Sequence, residues 1–321
     1  MFDFPIDRLP LVPETVLRKH KVHQPHDTRF RACARLLQSI WREKQGLPIG
    51  YYRTQKGSRR KLGSRLSGLA SATGANFLDA DIRRLTRREL AYREPGAMID
   101  EDRVWSNLLS SMPLGFNLLG PLKLKPERAE RFVAALLPEY AGRVAHIAFE
   151  HSPARGDARY TADGTAFDAA IIVKRDDGAR CFLGIELKYS EALAEPIARH
   201  RPRYDDLSAM SGLYNDPDAP ELRRNPLEQL WREHLLAHSV VANGLFDAAA
   251  LVLIAPGLNN DVQRGARLYS EHLAPAGPDT VPFLNVTLED AVAALKVAGA
   301  ASYADAFAER YLDFGPVHAL I

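Results

Sequence analysis

The chain has 321 residues, 46% of them hydrophobic, and a formal net charge of +2, so it reads as an ordinary soluble globular protein with sequence enough for one large domain or two moderate ones. Two cysteines, Cys33 and Cys181, exclude a disulfide framework, and Cys181 lies in an apolar run that suits a buried thiol. No apolar run approaches the roughly 18–20 residues of a membrane span, and the opening MFDFPIDRLPLVPETV lacks the basic and apolar regions of a secretory signal, so a cytoplasmic protein with no membrane partner is expected.

Residues 1 to about 100 are rich in arginine and proline and read as a mostly helical extension with irregular breaks. Within it, DTRFRACARLLQSIWREKQG (27–46) places Phe30, Leu37 and Trp41 at near-helical spacing. The segment YYRTQKGSRRKLGSRLS (51–67) follows, its paired tyrosines and its glycine and serine breaks suiting a flexible arm. No acidic residue occurs between Gly46 and Leu78, where Arg53, Lys56, Arg59, Arg60, Lys61 and Arg65 cluster, and Arg83, Arg84, Arg87 and Arg88 form a second group. Segregated positive charge is the footprint of phosphate-backbone contact, with a solvated loop and helix face as the alternative.

From residue 100 the signals sharpen. DEDRVWSNLLSS (100–111) opens with acids suited to a helix N-terminus and is closed by Pro113. KPERAERFVAALLPEY (125–140) is an amphipathic helix with Pro126 in its first turn. The period then changes: RVAHIAFE (143–150), AFDAAIIVK (166–174) and ARCFLGIELK (179–188) read as three strands, the last two joined by a tight turn at Asp177-Gly178. NPLEQLWREHLLAHSVVANG (225–244) is a strong helix, with Asn225 as cap, Pro226 at its first position and Asn243-Gly244 as stop. DAAALVLIAP (247–256) is a short buried strand, and FLNVTLEDAVAALKV and SYADAFAERYLDF add one strand and two helices. Helices flanking strands in this order predict an α/β fold with a mixed sheet covered on both faces.

One hairpin carries chemistry. Side chains alternate along a strand, so Leu183, Ile185 and Leu187 share one face while Phe182, Gly184, Glu186 and Lys188 share the other, with Gly184 leaving space beside the charges. Counting about the turn places Asp168, near the start of the preceding strand, opposite a position close to Glu186. Two carboxylates and an ammonium therefore converge at one end of a hairpin. Two carboxylates, a backbone carbonyl and waters make the hard oxygen shell that Mg²⁺ prefers, an arrangement suited to phosphodiester hydrolysis.

Asp168 followed after a hairpin by Glu186-Leu187-Lys188 resembles the PD-(D/E)xK motif of restriction-endonuclease-like nucleases, and the helix, three strands, helix, strand order resembles that superfamily's core. SNLLSSMPLGFNLLGPL (106–122), GIELKYSE (184–191) and LEQLWREHLLAHS (227–239) resemble blocks of a bacterial group of such proteins, so the likeness covers roughly 45 to 260. It implies Asp168, Glu186 and the Leu187 carbonyl as metal ligands, Lys188 as the catalytic lysine, and Mg²⁺, with Mn²⁺ as a substitute, as cofactor. Phe167 stands where the motif has proline. The expected architecture is an Arg-rich extension over 1–100 and a nuclease-like core over 101–321 with C-terminal helices.

Other candidates rank lower. Glu150 ends the first strand and is either a further carboxylate of the site or a surface strand end. Gln229 and Arg232, on the helix after the motif, are placed to face the site, while Trp231 and Leu235 suit the core. Glu101 sits beside Asp100 and Asp102, which favours a helix-terminal charge. His234 and His238 have ligand spacing but lack the arrangement of zinc peptidases. No phosphate-binding loop or Gly-x-Ser-x-Gly occurs. The expected activity is metal-dependent endonucleolytic cleavage of DNA in restriction, repair or defence, with a non-catalytic nucleic-acid-binding protein of the same fold as the alternative. A homodimer fits the mechanism, although no residue pattern demands it.

Overall fold

The structure is a computed structural model that describes residues 8–53, 57–275, 277 and 280–321; Lys56 of the basic cluster lies outside the described residues. The first hundred residues hold α1 (Glu14–Lys19), α2 (Arg29–Lys44), a hairpin of β1 (Ile49–Arg53) and β2 (Arg59–Leu66), α3 (Gly68–Thr73) and α4 (Ala80–Ala91). The basic cluster is therefore not a flexible arm on a helical extension. Tyr51 pairs with Lys61, Tyr52 with Arg60 and Arg53 with Arg59 across antiparallel strands. The two tyrosines of β1 have high β-propensity and face basic residues of β2 on an exposed hairpin, which the glycine and serine count obscured.

Next come α5 (Glu101–Ser106), α6 (Ser111–Lys123) and α7 (Pro126–Leu136). Pro113 does not close a helix here. It sits in the first turn of α6, where the missing N–H costs nothing, and Ser110 caps that helix by accepting the Met112 N–H at 3.3 Å.

The central sheet has five strands in the order β3 (Arg143–His151), β4 (Phe167–Lys174), β5 (Arg180–Leu187), β6 (Ala248–Ala255) and β7 (Phe283–Thr287). The first three are antiparallel and the last two join in parallel, which makes the sheet mixed. Between β5 and β6 lie α8 (Pro202–Ser211) and α9 (Glu228–Ala242); α10 (Asn260–Glu271) precedes β7, and α11 (Leu288–Val297), α12 (Ala301–Tyr311) and α13 (Gly315–His318) close the chain. Asn225 does not cap α9: the peptide before Pro226 is cis, and the helix begins two residues later.

Both faces of the sheet are covered. Leu183, Ile185 and Leu187 of β5 join one apolar cluster with Leu114 and Leu118 of α6, Phe132 of α7, Leu36 of α2 and Phe307 of α12. Phe182 joins the opposite cluster with Trp231 and Leu235 of α9 and Val262 of α10. β6, buried on both sides, reads accordingly as the unbroken apolar run AALVLIA.

The β4–β5 turn follows its sequence. Gly178 adopts φ +90°, the Arg175 N–H donates to the Ala179 carbonyl at 2.9 Å, and the Asp177 carboxylate accepts the Ala179 N–H at 3.0 Å. The space beside Gly184, by contrast, is not open. A Cβ there would stand 2.6 Å from the ring of Phe167, which is fully buried and tilted against Phe182 at 5.4 Å. Phe167 thus occupies the groove that the glycine leaves. Gly184→Ala is expected to cost about 1–3 kcal/mol of stability by overpacking, read as a lower urea midpoint with an unchanged slope.

Candidate active site

The start of β4 and the end of β5 meet beside the first turn of α9, at a cleft of about 270 Å³ lined in part by Asp168, Glu186, Lys188, Glu150, Gln229 and Arg232. Pairing of Ala169 with Ile185 carries Asp168 level with Glu186. The Asp168 carboxylate accepts the Leu187 N–H at 2.9 Å, a bond that ties the two strand ends together. The Lys188 N–H donates to the Ile254 carbonyl of β6 at 3.0 Å, so the backbone carrying the motif is held on both sides.

Glu186 and Lys188 are 3% and 5% exposed, on a face expected to be open. Their burial is made tolerable by pairing: Lys188 Nζ lies 3.0 Å from Glu186 Oε1 and 3.7 Å from Glu195 Oε1. Gln229 closes the arrangement. Its carbonyl accepts from Lys188 Nζ at 2.9 Å, and its amide donates to Glu186 Oε1 at 2.7 Å and to Glu233 Oε1 at 2.9 Å. The amide side chain thereby fixes both catalytic candidates in one orientation.

Electrostatics follow from this crowding. Burial alone pushes the Lys188 ammonium down, but the carboxylates of Glu186, Glu195, Asp168 and Glu191 outweigh it and raise its pKa, so it stays cationic. Asp168 is raised well above the ordinary 3.8, first by burial and then by the charge of Glu186, against the pull of Lys188. Burial also raises Glu150 and, well above 4.5, Glu233, with Glu186 adding repulsion in both cases. Glu186, Glu195, Asp168 and Glu191 thus share one buried ammonium, with Glu233 beside them, and among the described residues Glu233 Oε2 is buried without a hydrogen-bond partner.

An excess of buried carboxylate is what a divalent cation compensates. Among the described residues no group of three or more His, Cys, Asp or Glu side chains is placed to hold a metal ion. A metal at Asp168 and Glu186 would therefore need backbone oxygen and water for most of its shell, as Mg²⁺ characteristically accepts. The donor set fits a hard cation and contains no imidazole or thiolate. His234 is engaged elsewhere, contacting Tyr269 Oη at 2.9 Å and the Val281 carbonyl at 2.8 Å in the core.

The remaining candidates divide. Glu150 lines the cleft with left-handed backbone (φ +49°), a conformation that in a non-glycine residue concentrates at functional sites. Arg232 reaches the cleft but is held by Glu228 at 3.1 Å and Thr165 at 2.7 Å. Glu101 pairs with Arg93 at 3.1 Å while Asp100 caps α5, in keeping with a helix-terminal role. Arg53, Arg59, Arg60 and Lys61 are exposed on the hairpin, whereas Arg65 is turned inward to Asp102 at 2.5 Å and Ser106 at 3.0 Å.

Three residues of the site, two lining the cleft and Glu233 behind Gln229, went unread in the sequence. Glu233 follows Gln229 by four positions, so helical periodicity placed it on the same face. Glu191 and Glu195 follow β5 in irregular chain, where no period marks them. Glu191 accepts the N–H groups of Ser111 and Tyr189 at 3.1 and 3.0 Å.

Compared with known proteins, residues 25–313 match the model of a family described as PD-(D/E)XK nuclease superfamily. No curated protein and no solved structure matches.

Proposed function

The chain belongs to the PD-(D/E)XK nuclease superfamily, and from that premise we propose that it is a Mg²⁺-dependent endonuclease hydrolysing DNA phosphodiester bonds. The observation that carries this reading is the convergence of Asp168, Glu186 and Lys188 along one polar cleft, with Gln229 bridging the last two.

Asp168 and Glu186 would hold the cation together with the Leu187 carbonyl, and Glu150 lines the same cleft and would strengthen the anionic field. A cation held there would supply neutralisation of phosphate charge and a more acidic water. Lys188 is kept as an ammonium by its carboxylate neighbours, so its task is to stabilise the charge that develops on phosphate oxygens or to orient the water, not to remove a proton. Gln229 prevents the lysine from collapsing onto Glu186 alone.

The hairpin supports a nucleic-acid substrate. Arg53, Arg59, Arg60 and Lys61 present charge without sequence information, which serves to position a phosphate backbone. Arg59→Glu combined with Arg60→Glu is expected to weaken DNA affinity and to flatten its log–log salt slope by about 2, at roughly 0.9 per lost phosphate contact. Anisotropy titrations across salt check this; an unchanged slope would reduce the hairpin to a solvated surface. Incubating DNA and RNA of matched sequence with Mg²⁺, Mn²⁺ or EDTA tests the activity itself. Metal-dependent cutting of DNA is the expected result, and cutting of RNA alone overturns the choice of substrate.

A further inference from the structure

A second cavity, of about 500 Å³, lies between the β1–β2 hairpin and α5, lined by Tyr51, Arg59, Arg87, Glu101, Asp102 and Trp105 among others. Its composition differs from that of the acidic cleft. Two aromatic rings line it, each covered by a guanidinium: Arg59 stands 4.8 Å from the Tyr51 centroid and Arg87 5.8 Å from that of Trp105. The volume falls within the range of about 300–1,000 Å³ typical of small-ligand sites.

The arrangement does not serve the core. Tyr51 is 43% exposed, so its ring is not spent on the core. Among the described residues Arg59 forms no ion pair, whereas the carboxylates beside it are already matched, Glu101 with Arg93 and Asp102 with Arg65. Trp105 is half-buried and anchored edge-on against Phe77 at 5.2 Å, which orients the ring, with Arg87 over one face. Aromatic faces and guanidinium planes together form the surface on which unstacked bases settle.

The position links this cavity to the candidate active site. Glu101, Asp102, Trp105 and Ser106 of α5 face the aromatic cavity, while Arg103 of the same helix lines the acidic cleft and donates to Glu191 at 3.3 Å. One short helix is the partition, and a helix with its side chains is about 10–12 Å across. A strand leaving the cleft over α5 reaches the aromatic cavity within a few nucleotides.

We propose that this cavity receives an unpaired base of the DNA strand flanking the bond to be cut, so that the preferred substrate is single-stranded or locally opened DNA. The inference deepens the nuclease reading and rests on it for the identity of the ligand. Stacking on Tyr51 and Trp105 supplies sequence-tolerant affinity, Arg59 meets the adjoining phosphate, and duplex DNA, whose bases stay stacked in the helix, gains nothing from the cavity.

The test is fluorescence anisotropy of the full chain in EDTA with a labelled single-stranded oligonucleotide, the same oligonucleotide annealed to its complement, and free deoxynucleoside monophosphates as competitors. Tyr51→Ala, which removes an exposed ring, is expected to weaken single-strand binding roughly 5- to 150-fold and to leave duplex binding unchanged. Trp105→Ala should do the same, with circular dichroism as a check on its fold. Unchanged single-strand affinity in Tyr51→Ala, an equal loss for both DNA forms, or a mononucleotide that outcompetes the oligonucleotide would each overturn the proposal. Cleavage is scored separately. Tyr51-dependent single-strand binding without cutting in any metal contradicts the nuclease reading alone. Metal-dependent cutting with no Tyr51 effect contradicts the base-receiving cavity alone.

Discussion

Replacing Lys188 by alanine is expected to lower metal-dependent cleavage by about 10²–10³-fold, the usual loss when a preorganised donor to transition-state charge is removed. The same change should also weaken the fold. Lys188 is 5% exposed, with its ammonium 3.0 Å from Glu186 and bonded to Gln229 at 2.9 Å. Breaking a buried pair by deleting one partner typically costs about 3–5 kcal/mol, because the remaining charge is left uncompensated. A divalent cation compensates the same carboxylates, so added Mg²⁺ should recover part of the lost stability while cleavage stays low. Single-turnover rates and urea midpoints with and without Mg²⁺ read both effects. Wild-type cleavage in Lys188→Ala would remove the lysine from the mechanism.

Asp168→Asn is expected to separate metal binding from folding in the opposite direction. Asparagine keeps an oxygen for the Leu187 N–H, now accepted by Asp168 at 2.9 Å, but it carries no charge. Burial and the charge of Glu186 raise the native pKa of Asp168 above its unfolded value. The folded state therefore binds more protons in that interval, and metal-free stability falls as pH climbs from about 3.8 through the raised native value. The variant has no such burden. Without metal it should be at least as stable as the wild type at neutral pH, with the difference vanishing in acid. With metal the order reverses: wild type at a hundredfold excess over Kd gains about 2.7 kcal/mol, while the variant gains almost nothing. Outer-shell partners of a metal are worth about 10–100-fold in activity, so loss of a direct ligand should lower cleavage by more than about 100-fold. Thermal scans with and without Mg²⁺ at several pH values, beside cleavage rates, distinguish this from general damage.

Much of the candidate site's geometry was legible because strand geometry is rigid. Period-two alternation and an Asp-Gly turn were enough to set Asp168 across from Glu186, and the register of Ala169 with Ile185 agrees with that count. Gln229 followed from the phase of an amphipathic helix. The misses have equally physical causes. Gly184 is read from sequence as open space, yet Phe167 fills it, since only packing decides which neighbour occupies a glycine's groove. Pro113 is compatible with the end of one helix or the first turn of the next, and the Ser110 cap decides for the second. The 51–67 segment has the composition of an arm and the pairing of a hairpin, because its charges are tolerated on an exposed two-stranded ribbon. Glu191 and Glu195 enter the cleft from irregular chain, where no periodicity exists to read.

The measurement that tests the central claim most directly is plasmid cleavage by the wild type, Lys188→Ala and Asp168→Asn proteins, each in Mg²⁺ and in EDTA, after all three have been shown to fold and to bind DNA. Cutting by the wild type in Mg²⁺ alone, with both variants silent or nearly so, is the predicted result and places the chemistry at the β4–β5 hairpin. DNA bound but uncut by the wild type in every metal, or cutting that survives in both variants, would contradict it.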